Sequence, residues 1–466
     1  MSLANFTELF REATENPNPF PYQVRFAEAD DFPELVHAPT GAGKTATAVL
    51  GWLWRYLFAD KPTPRRLVYC LPMRVLVEQT RDEARKWLNN LGLTEKVRVH
   101  LLMGGEQAEE WDLDPEKPVI LIGTQDMLLS RALNRGYGMG RFRWPMHFGL
   151  LNNDALWVLD EIQLMGTGLA TSTQLQAFRE ALGIYGTTKT VWMSATLLPR
   201  WLGSIDYRDR IEPELRLHTL RLDPETDYRA DGLRERWEAK KPIRRAALAL
   251  GQERQGQAGT ATPSEVPLTS DEPSKIAQFV TAQHQAGSLT LVIVNTVGRC
   301  RALFEAIRMI YSPKARGRAR SGAQSVSAAA PDLKLIHSRF RPREREEWRS
   351  WLTAKELPPQ GRIVVSTQVV EAGVDLSART LITELAPWPS LVQRFGRCNR
   401  RGEFPGNDGS DPAHVFWIDV PTSDENKSAP YRKDELDEAR TRIASVPDVG
   451  VKALTDFFDT LTDEER

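Results

Sequence analysis

Three cysteines in 466 residues, Cys70, Cys300 and Cys398, are few, odd in number and far apart. They make neither a disulfide framework nor a zinc site, which points to a reducing cytosol. No apolar run nears the ~20 residues a membrane span requires. The opening Met1-Ser2-Leu3-Ala4-Asn5-Phe6 has no basic stretch followed by an apolar one, so neither a membrane partner nor a secretory signal is expected. Net charge is nearly absent: 61 Lys+Arg against 62 Asp+Glu leave −1. A polycation that coats nucleic acid is thereby excluded, and any nucleic acid must be held in a local groove.

What the chain has is length and uneven charge. Its 466 residues exceed one ordinary core and give about three domains. Hydrophobic residues at 41% and charged residues at 26% belong to a globular protein. From Arg299 to Ser350 thirteen Lys/Arg stand against five Asp/Glu, a balance of +8. From Asp419 to Arg466 thirteen acids stand against seven bases, a balance of −6. The basic block is an anion-facing surface or a solvated helix face.

The densest chemistry lies in Ala38-Pro39-Thr40-Gly41-Ala42-Gly43-Lys44-Thr45. Extended Glu34–His37 runs into it and the periodic apolar stretch Ala46–Phe58 leaves it. Strand, glycine turn and helix in that order form a phosphate cradle. Backbone N–H groups of Thr40, Gly41, Ala42 and Gly43 approach an oxygen-rich ligand, helped by the helix N-terminus. Lys44 reaches the β/γ-phosphates, and the Thr45 hydroxyl ligates Mg²⁺. Upstream, Phe20-Pro21-Tyr22-Gln23 places the Gln23 amide to read an adenine edge while an aromatic ring stacks on the base.

Residues 1–33 form an N-terminal segment. From 34 to 203, β-rich runs (Leu35–Ala38, Leu67–Leu71, Val97–Leu102, Val119–Gly123, Leu156–Leu159, Thr190–Met193) alternate with helical ones such as Val75–Asn90 and Leu169–Leu182. Alternation predicts a parallel doubly wound sheet with ligands at the carboxyl ends of its strands. Arg74 and Thr124 stand at two such ends and offer polar groups to a nucleic-acid backbone. At a third, Leu156-Trp157-Val158-Leu159 delivers Asp160 and Glu161. One carboxylate holds Mg²⁺ and the other polarises the attacking water. Ser194 and Thr196, in Ser-Ala-Thr, link the nucleotide state to the other domain.

Residues 204–275 read as a connector: a strand-like Leu215–Leu222, a helical 235–250, and Gln252–Lys275, rich in Gly, Ser, Thr, Pro and Gln, as a mobile linker. A second alternation covers 276–402, with 312–331 disordered and a charged helix over Arg341–Leu352. It contains Leu289–Thr296, Leu333–Ile336, Arg362–Ser366 and Thr380–Glu384 as strands, then Gln393-Arg394-Phe395-Gly396-Arg397-Cys398-Asn399-Arg400-Arg401-Gly402. On a predicted helix Arg397 and Arg400 share a face, and their guanidinium forks suit phosphate oxygens. His337 ends a strand without a second His or Asp at metal spacing and reads as structural. Residues 403–466 form an extension with a strand at His414–Val420 and helices at Lys433–Ser445 and Val451–Leu461.

The ordered set A-P-T-G-A-G-K-T, L-P-M-R-V-L-V-E-Q-T, D-E-I-Q, S-A-T, V-I-V-N-T, S-T-Q-V-V-E-A-G-V-D and Q-R-F-G-R-C-N-R-R-G resembles a superfamily 2 helicase from Gln23 to Gly402. Within it, Leu335–Phe340, Gln368–Asp375, Gln393–Gly402 and Asp160–Met165 most resemble the helicase part of the type I CRISPR-associated nuclease-helicase. The resemblance implies an α/β fold of two RecA-like parallel-sheet domains in tandem with a short C-terminal α/β extension, ATP bound between the domains, and single-stranded DNA moved 3′→5′ in the cytoplasm. It implies that Gly373 and Asp375 line the ribose side, that Gln393 joins the nucleotide site, and that Asn295, Thr296 and Thr367 hold phosphates beside Arg74 and Thr124. Lys44, Arg397 and Arg400 would offset γ-phosphate charge, either arginine being the finger. Gln163 stands where the family carries His and would bond across the cleft, so ATPase activity is expected to survive. The family's histidine-aspartate nuclease has no counterpart: the histidines at 37, 100, 147, 218, 284, 337 and 414 include no His-Asp pair. A nuclease domain or subunit and an RNA-guided surveillance complex are therefore implied partners. Two other readings stand beside this one: an RNA-directed helicase of the same superfamily, and a nucleotide-gated recruitment module docking through acidic 419–466.

Overall fold

Strands with apolar side chains on both faces belong in the middle of a covered parallel sheet, and the structure puts them there. The computed structural model describes residues 3–104, 110–195, 199–207, 217–248, 272–311, 330–340, 344, 347–348, 351–352, 356–371, 374–404, 412–422 and 428–461. The chain divides into two units, Met1–Arg234 and Glu235–Arg466.

The first unit carries strands β1 (Leu35–His37), β2 (Arg66–Leu71), β3 (Arg98–Leu102), β4 (Val119–Thr124), β5 (Ala155–Asp160), β6 (Thr188–Ser194) and β7 (Thr219–Arg221). They form one sheet in the order β3-β4-β2-β5-β6-β1-β7, every pairing parallel. Strands β2, β4 and β5 are buried along their whole length. Helices α1 (Phe6–Thr14), α2 (Pro21–Glu28), α3 (Lys44–Leu57), α4 (Arg74–Asn90), α5 (Gln125–Ala132), α6 (Trp144–Asn152) and α7 (Thr167–Leu182) accompany the sheet. Trp52, Trp157 and Trp192 fill the core, and each buried indole N–H finds an oxygen: Pro64 O at 2.7 Å, Leu151 O at 2.8 Å and Ser172 Oγ at 2.9 Å.

The second unit orders β10 (Asp332–Ile336), β11 (Arg362–Ser366), β9 (Leu289–Ile293), β12 (Thr380–Glu384), β13 (His414–Ile418) and β8 (Ile243–Arg245) across its sheet. These pairings too are parallel. Its helices are α8 (Leu233–Glu238), entering from the first unit, α9 (Glu272–Gln283), α10 (Val297–Ile310), α11 (Trp388–Phe395), α12 (Lys433–Ser445) and α13 (Val451–Thr460). One expectation changes. The helix read over 235–250 stops at Glu238, because Pro242 cannot continue it and holds Lys241 extended; Ile243–Arg245 instead pairs with β13. The C-terminal extension joins the second sheet, where β13 pairs with both β12 and β8. Most of the 312–331, Gln252–Lys275 and Arg341–Leu352 segments lies outside the described residues.

One buried cluster in the first unit is sensitive to acid. Asp112 accepts from Arg143 at 3.1 Å and lies 3.2 Å from His147, whose ring packs 4.7 Å from that of Trp111. Burial first, then Arg131 and Arg143, push the His147 pKa down to about 4, against the pull of Asp112. The folded state thus holds fewer protons than the unfolded chain between about 4 and 6.5. Its stability is complete above that window and falls as pH drops through it. Thermal unfolding of the wild type should decline over this range, and His147→Leu should flatten the decline; equal slopes would refute the assignment.

Candidate nucleotide site

The glycine turn forms because Gly41 and Gly43 take φ of 87° and 81°, a backbone open to glycine and costly for other residues. Gly43 caps α3, and Lys44 starts it. Beneath the turn, Tyr22 and Gln23 are 0% and 1% exposed. Tyr22 Oη donates to Ala42 O at 2.7 Å, and Gln23 Nε2 donates to Gly43 O at 3.1 Å and Thr47 Oγ1 at 3.2 Å. Gln23 Oε1 accepts from Phe20 N–H at 2.8 Å. In this structure the Nε2 end of the Gln23 amide braces the loop and its Oε1 end caps α2 at Phe20, while Tyr22 lies buried beneath the loop. The fully buried Asp227 pins α2 from behind, accepting from Tyr22 N–H and from Arg25, both at 2.6 Å.

Lys44 and the two acids meet at the carboxyl edge of the sheet. Lys44 Nζ lies 2.9 Å from Glu161 Oε1 and 3.5 Å from Asp160 Oδ1. All three side chains are nearly buried. Burial works against the Lys44 charge, but Glu161 and Asp160 outweigh it and hold the ammonium charged above the ordinary lysine range. Burial pushes the Asp160 carboxyl up; Lys44 opposes it and Glu161 adds to it. Tyr69 Oη donates to Asp160 Oδ2 at 2.8 Å and also reaches Thr45. Burial and the neighbouring Asp160 keep that phenol protonated and donating.

Glu161 leaves the strand with φ 54° and ψ 45°, a left-handed conformation unusual for a residue with a side chain. With this turn both adjacent carboxylates reach the Lys44 ammonium, while Asp160 also meets Tyr69 and Glu161 meets Gln163. Gln163 Nε2 donates to Glu161 Oε2 and Ser194 Oγ donates to Gln163 Oε1, each at 2.6 Å. His37 Nε2 lies 2.9 Å from Ala195 O. The acid pair, Gln163 and the end of β6 thus form one hydrogen-bonded line. Thr196 lies outside the described residues.

A magnesium ion fits this donor set. One cation against two carboxylates leaves the cluster one charge negative, and Thr45 and Asp160 both reach the Tyr69 hydroxyl. Thr45 and Asp160 would hold the ion, and Mg²⁺ would supply positive charge against phosphate oxygens. Sequence reasoning missed Tyr69 because nothing separates it from its apolar neighbours in a strand buried on both faces.

Of the residues expected to touch nucleic acid, Arg74 is exposed at the start of α4 and donates to Gly104 O. Thr124 is nearly buried at the N-terminus of α5. In the second unit, Asn295 is wholly engaged inside: its N–H donates to Glu384 Oε2 at 2.7 Å, Nδ2 to Leu385 O at 2.8 Å, and Oδ1 accepts from Arg394 at 3.1 Å. Thr296 caps α10 by accepting from Arg299 N–H, and Thr367 is buried with its N–H on Ile336 O.

The helix predicted to carry Arg397 and Arg400 ends at Phe395, so the two arginines sit in turns and helical spacing does not align them. Asn399, at φ 43°, ends any helical continuation, and its amide donates to Lys240 O and Phe404 O. Arg397 is 4% exposed and donates to Glu371 O at 2.8 Å and Val374 O at 2.6 Å. Arg400 lies 3.2 Å from Asp375, which Arg401 also contacts at 2.7 Å. Burial pushes the Asp375 carboxyl up, but these arginines outweigh it and hold it below its usual range. Gln393 is 1% exposed, and Gly373 lies outside the described residues. A buried hub, unsuspected from sequence, supports the turn: Arg394 joins Glu371 at 2.7 Å, Thr383 at 2.8 Å and Tyr431 at 3.3 Å.

Two family models match the chain: DEAD/DEAH box helicase over residues 26–203 and CRISPR-associated nuclease/helicase Cas3, C-terminal, over 286–403. Among curated relatives, the CRISPR-associated nuclease/helicase Cas3 of Haloferax volcanii is 38% identical over 123 residues, 24% of this chain and 12% of that one. The CRISPR-associated endonuclease/helicase Cas3 of Thermus thermophilus is 28% identical over 428 residues, 78% of this chain and 42% of that one. The chain thus spans less than half the length of these relatives. The crystal structure of T. fusca Cas3-ADP superposes with a TM-score of 0.67 at 19% identity, covering 98% of this chain and 53% of that one. Mss116p bound to ssRNA and AMP-PNP gives 0.55 at 16% identity, covering 90% and 73%. Two RecA-like sheets are the shared fold.

The loop geometry makes a direct prediction. A Cβ at Gly43 would sit 3.0 Å from Gln23 Nε2 on a backbone at φ +81°. Gly43→Ala should therefore cost about 1–2 kcal/mol of stability and weaken nucleotide binding. An unchanged melting temperature would show that the turn carries no such strain.

Proposed function

We propose that this chain, a superfamily 2 helicase most like the helicase part of the type I CRISPR-associated nuclease-helicase, is an ATP-driven translocase that moves 3′→5′ on single-stranded DNA in the cytoplasm. The observation that carries this reading is the buried Lys44–Asp160–Glu161 cluster, joined through Gln163 to Ser194. Within such a chain, Lys44 leaves Glu161 for the β/γ-phosphates when nucleotide enters. Glu161, released from its ion pair and oriented by Gln163, accepts the proton of the attacking water. The turn amides from Thr40 to Gly43 and the N-terminus of α3 hold the phosphates. Bound through Thr45 and Asp160, Mg²⁺ would offset phosphate charge. Arg400 supplies the finger, while Arg397, tied to backbone carbonyls, positions the turn from which Arg400 extends. Asp375, held by Arg400 and Arg401, Gln393 and Gly373 are the second unit's candidates for contact with the nucleotide.

Gln163 reports the nucleotide state to Ser194 and Thr196. Arg74, Thr124, Thr296 and Thr367 hold the DNA backbone through side chains or N–H groups, and Asn295 shapes that surface from within. Binding should be salt-dependent and largely sequence-blind. An RNA-guided surveillance complex would load the strand, and a nuclease domain or subunit would cut it.

ATP turnover with and without single-stranded DNA tests the reading. Glu161→Gln should lower turnover by roughly 10²–10⁴-fold, and Lys44→Ala should abolish it. Turnover indifferent to both substitutions and to DNA would sink the proposal, and stronger stimulation by RNA of the same sequence would reassign the substrate. A finger contributes roughly 10³-fold or more, so Arg400→Ala should lose that much with nucleotide affinity kept. Arg397→Ala should instead lower the melting temperature as well.

A further inference from the structure

In the first unit a cavity of about 590 Å³ opens between α5, the start of α7 and the loop 133–140. No residue of the nucleotide site lines it. Its wall begins at Gln125, one residue beyond Thr124 at the carboxyl end of β4. The lining mixes chemistries: Gln125, Asp126 and Thr171 are polar, Arg135 is cationic, and Tyr137 presents a ring that is 65% exposed.

The loop that completes the cavity is held in place. Tyr137 N–H donates to Ser130 Oγ at 3.3 Å, and Arg135 N–H donates to Ser130 O at 2.8 Å. Asn134 takes φ 57° and Gly138 φ 69°, which fold the loop back over α5. The cavity therefore exists without a ligand. Within it, Gln125 Oε1 is buried with no hydrogen-bond partner among the described residues. An unsatisfied acceptor beside a cavity is relieved by a ligand that brings an N–H group.

We propose that this cavity is a subsite for one nucleotide of the bound single strand, with the base stacked on Tyr137, its amino edge toward Gln125 and Asp126, and its phosphate on Arg135. The proposal rests on the nucleic-acid reading above and deepens it. Volume, an exposed ring, a cation and two acceptors match the separate parts of a nucleotide. Base–aromatic stacking is sequence-tolerant, so the site grips any strand. The acceptors add a modest preference for cytosine, whose exocyclic amine donates, over thymine, whose O4 does not.

The test uses the full chain and labelled single-stranded oligonucleotides of about 12 nucleotides, within the site sizes such surfaces cover. Tyr137→Ala should weaken binding about tenfold and raise the DNA concentration for half-maximal ATPase stimulation. ATPase without DNA and at saturating DNA should stay unchanged, and Tyr137→Trp should restore affinity. Oligo(dC) should bind several-fold tighter than oligo(dT), and Gln125→Ala with Asp126→Ala should erase the difference. DNA-stimulated wild-type turnover with an unaffected Tyr137→Ala variant overturns the subsite alone. Wild-type turnover that DNA neither stimulates nor engages overturns the helicase reading and the subsite together.

Discussion

The first unit depends on one arrangement of charge: a buried ammonium between two buried carboxylates. Charges taken from water are costly, and their mutual attraction offsets the cost only with further hydrogen bonds in place. Here the Tyr69 hydroxyl, the Gln163 amide and the Glu161 N–H supply those bonds. Tyr69 ties the cluster to β2, Gln163 ties it to Ser194 at the end of β6, and Lys44 ties it to the turn after β1. The electrostatics of the site and the order of strands in the sheet are therefore one constraint.

The same arrangement explains how the site can respond. In the proposed mechanism Lys44 is held by the group it would leave for phosphates, and Glu161 by the group that would release it. Both acids face Lys44, and each has a second partner of its own, Tyr69 for Asp160 and Gln163 for Glu161. The second unit uses a comparable device, with Arg394 bonding Glu371, Thr383, Glu384 O, Asn295 and Tyr431. That hub explains why a C-terminal segment without readable chemistry reaches the arginine-bearing turn: the Tyr431 hydroxyl accepts from both Arg394 and Gln368.

The order of the motifs, the two parallel sheets, and the identities of Lys44, Asp160, Glu161 and Gln163 were legible in the amino-acid sequence. Local chemistry fixes them: a glycine turn between strand and helix gathers backbone N–H groups at the helix N-terminus, and apolar runs without alternation must be covered on both faces. Only the tertiary structure decided that Tyr22 lies under the loop with the Gln23 amide bracing it, that Tyr69 holds Asp160, that Arg397 turns inward, and that Ile243–Arg245 is a strand. Each of these depends on a partner distant in the chain, such as Gly43 O for Gln23, Asp160 for Tyr69, Val374 O for Arg397 and β13 for β8. Spacing along the sequence carries no record of such partners, because they are set by which strands become neighbours in the folded sheet.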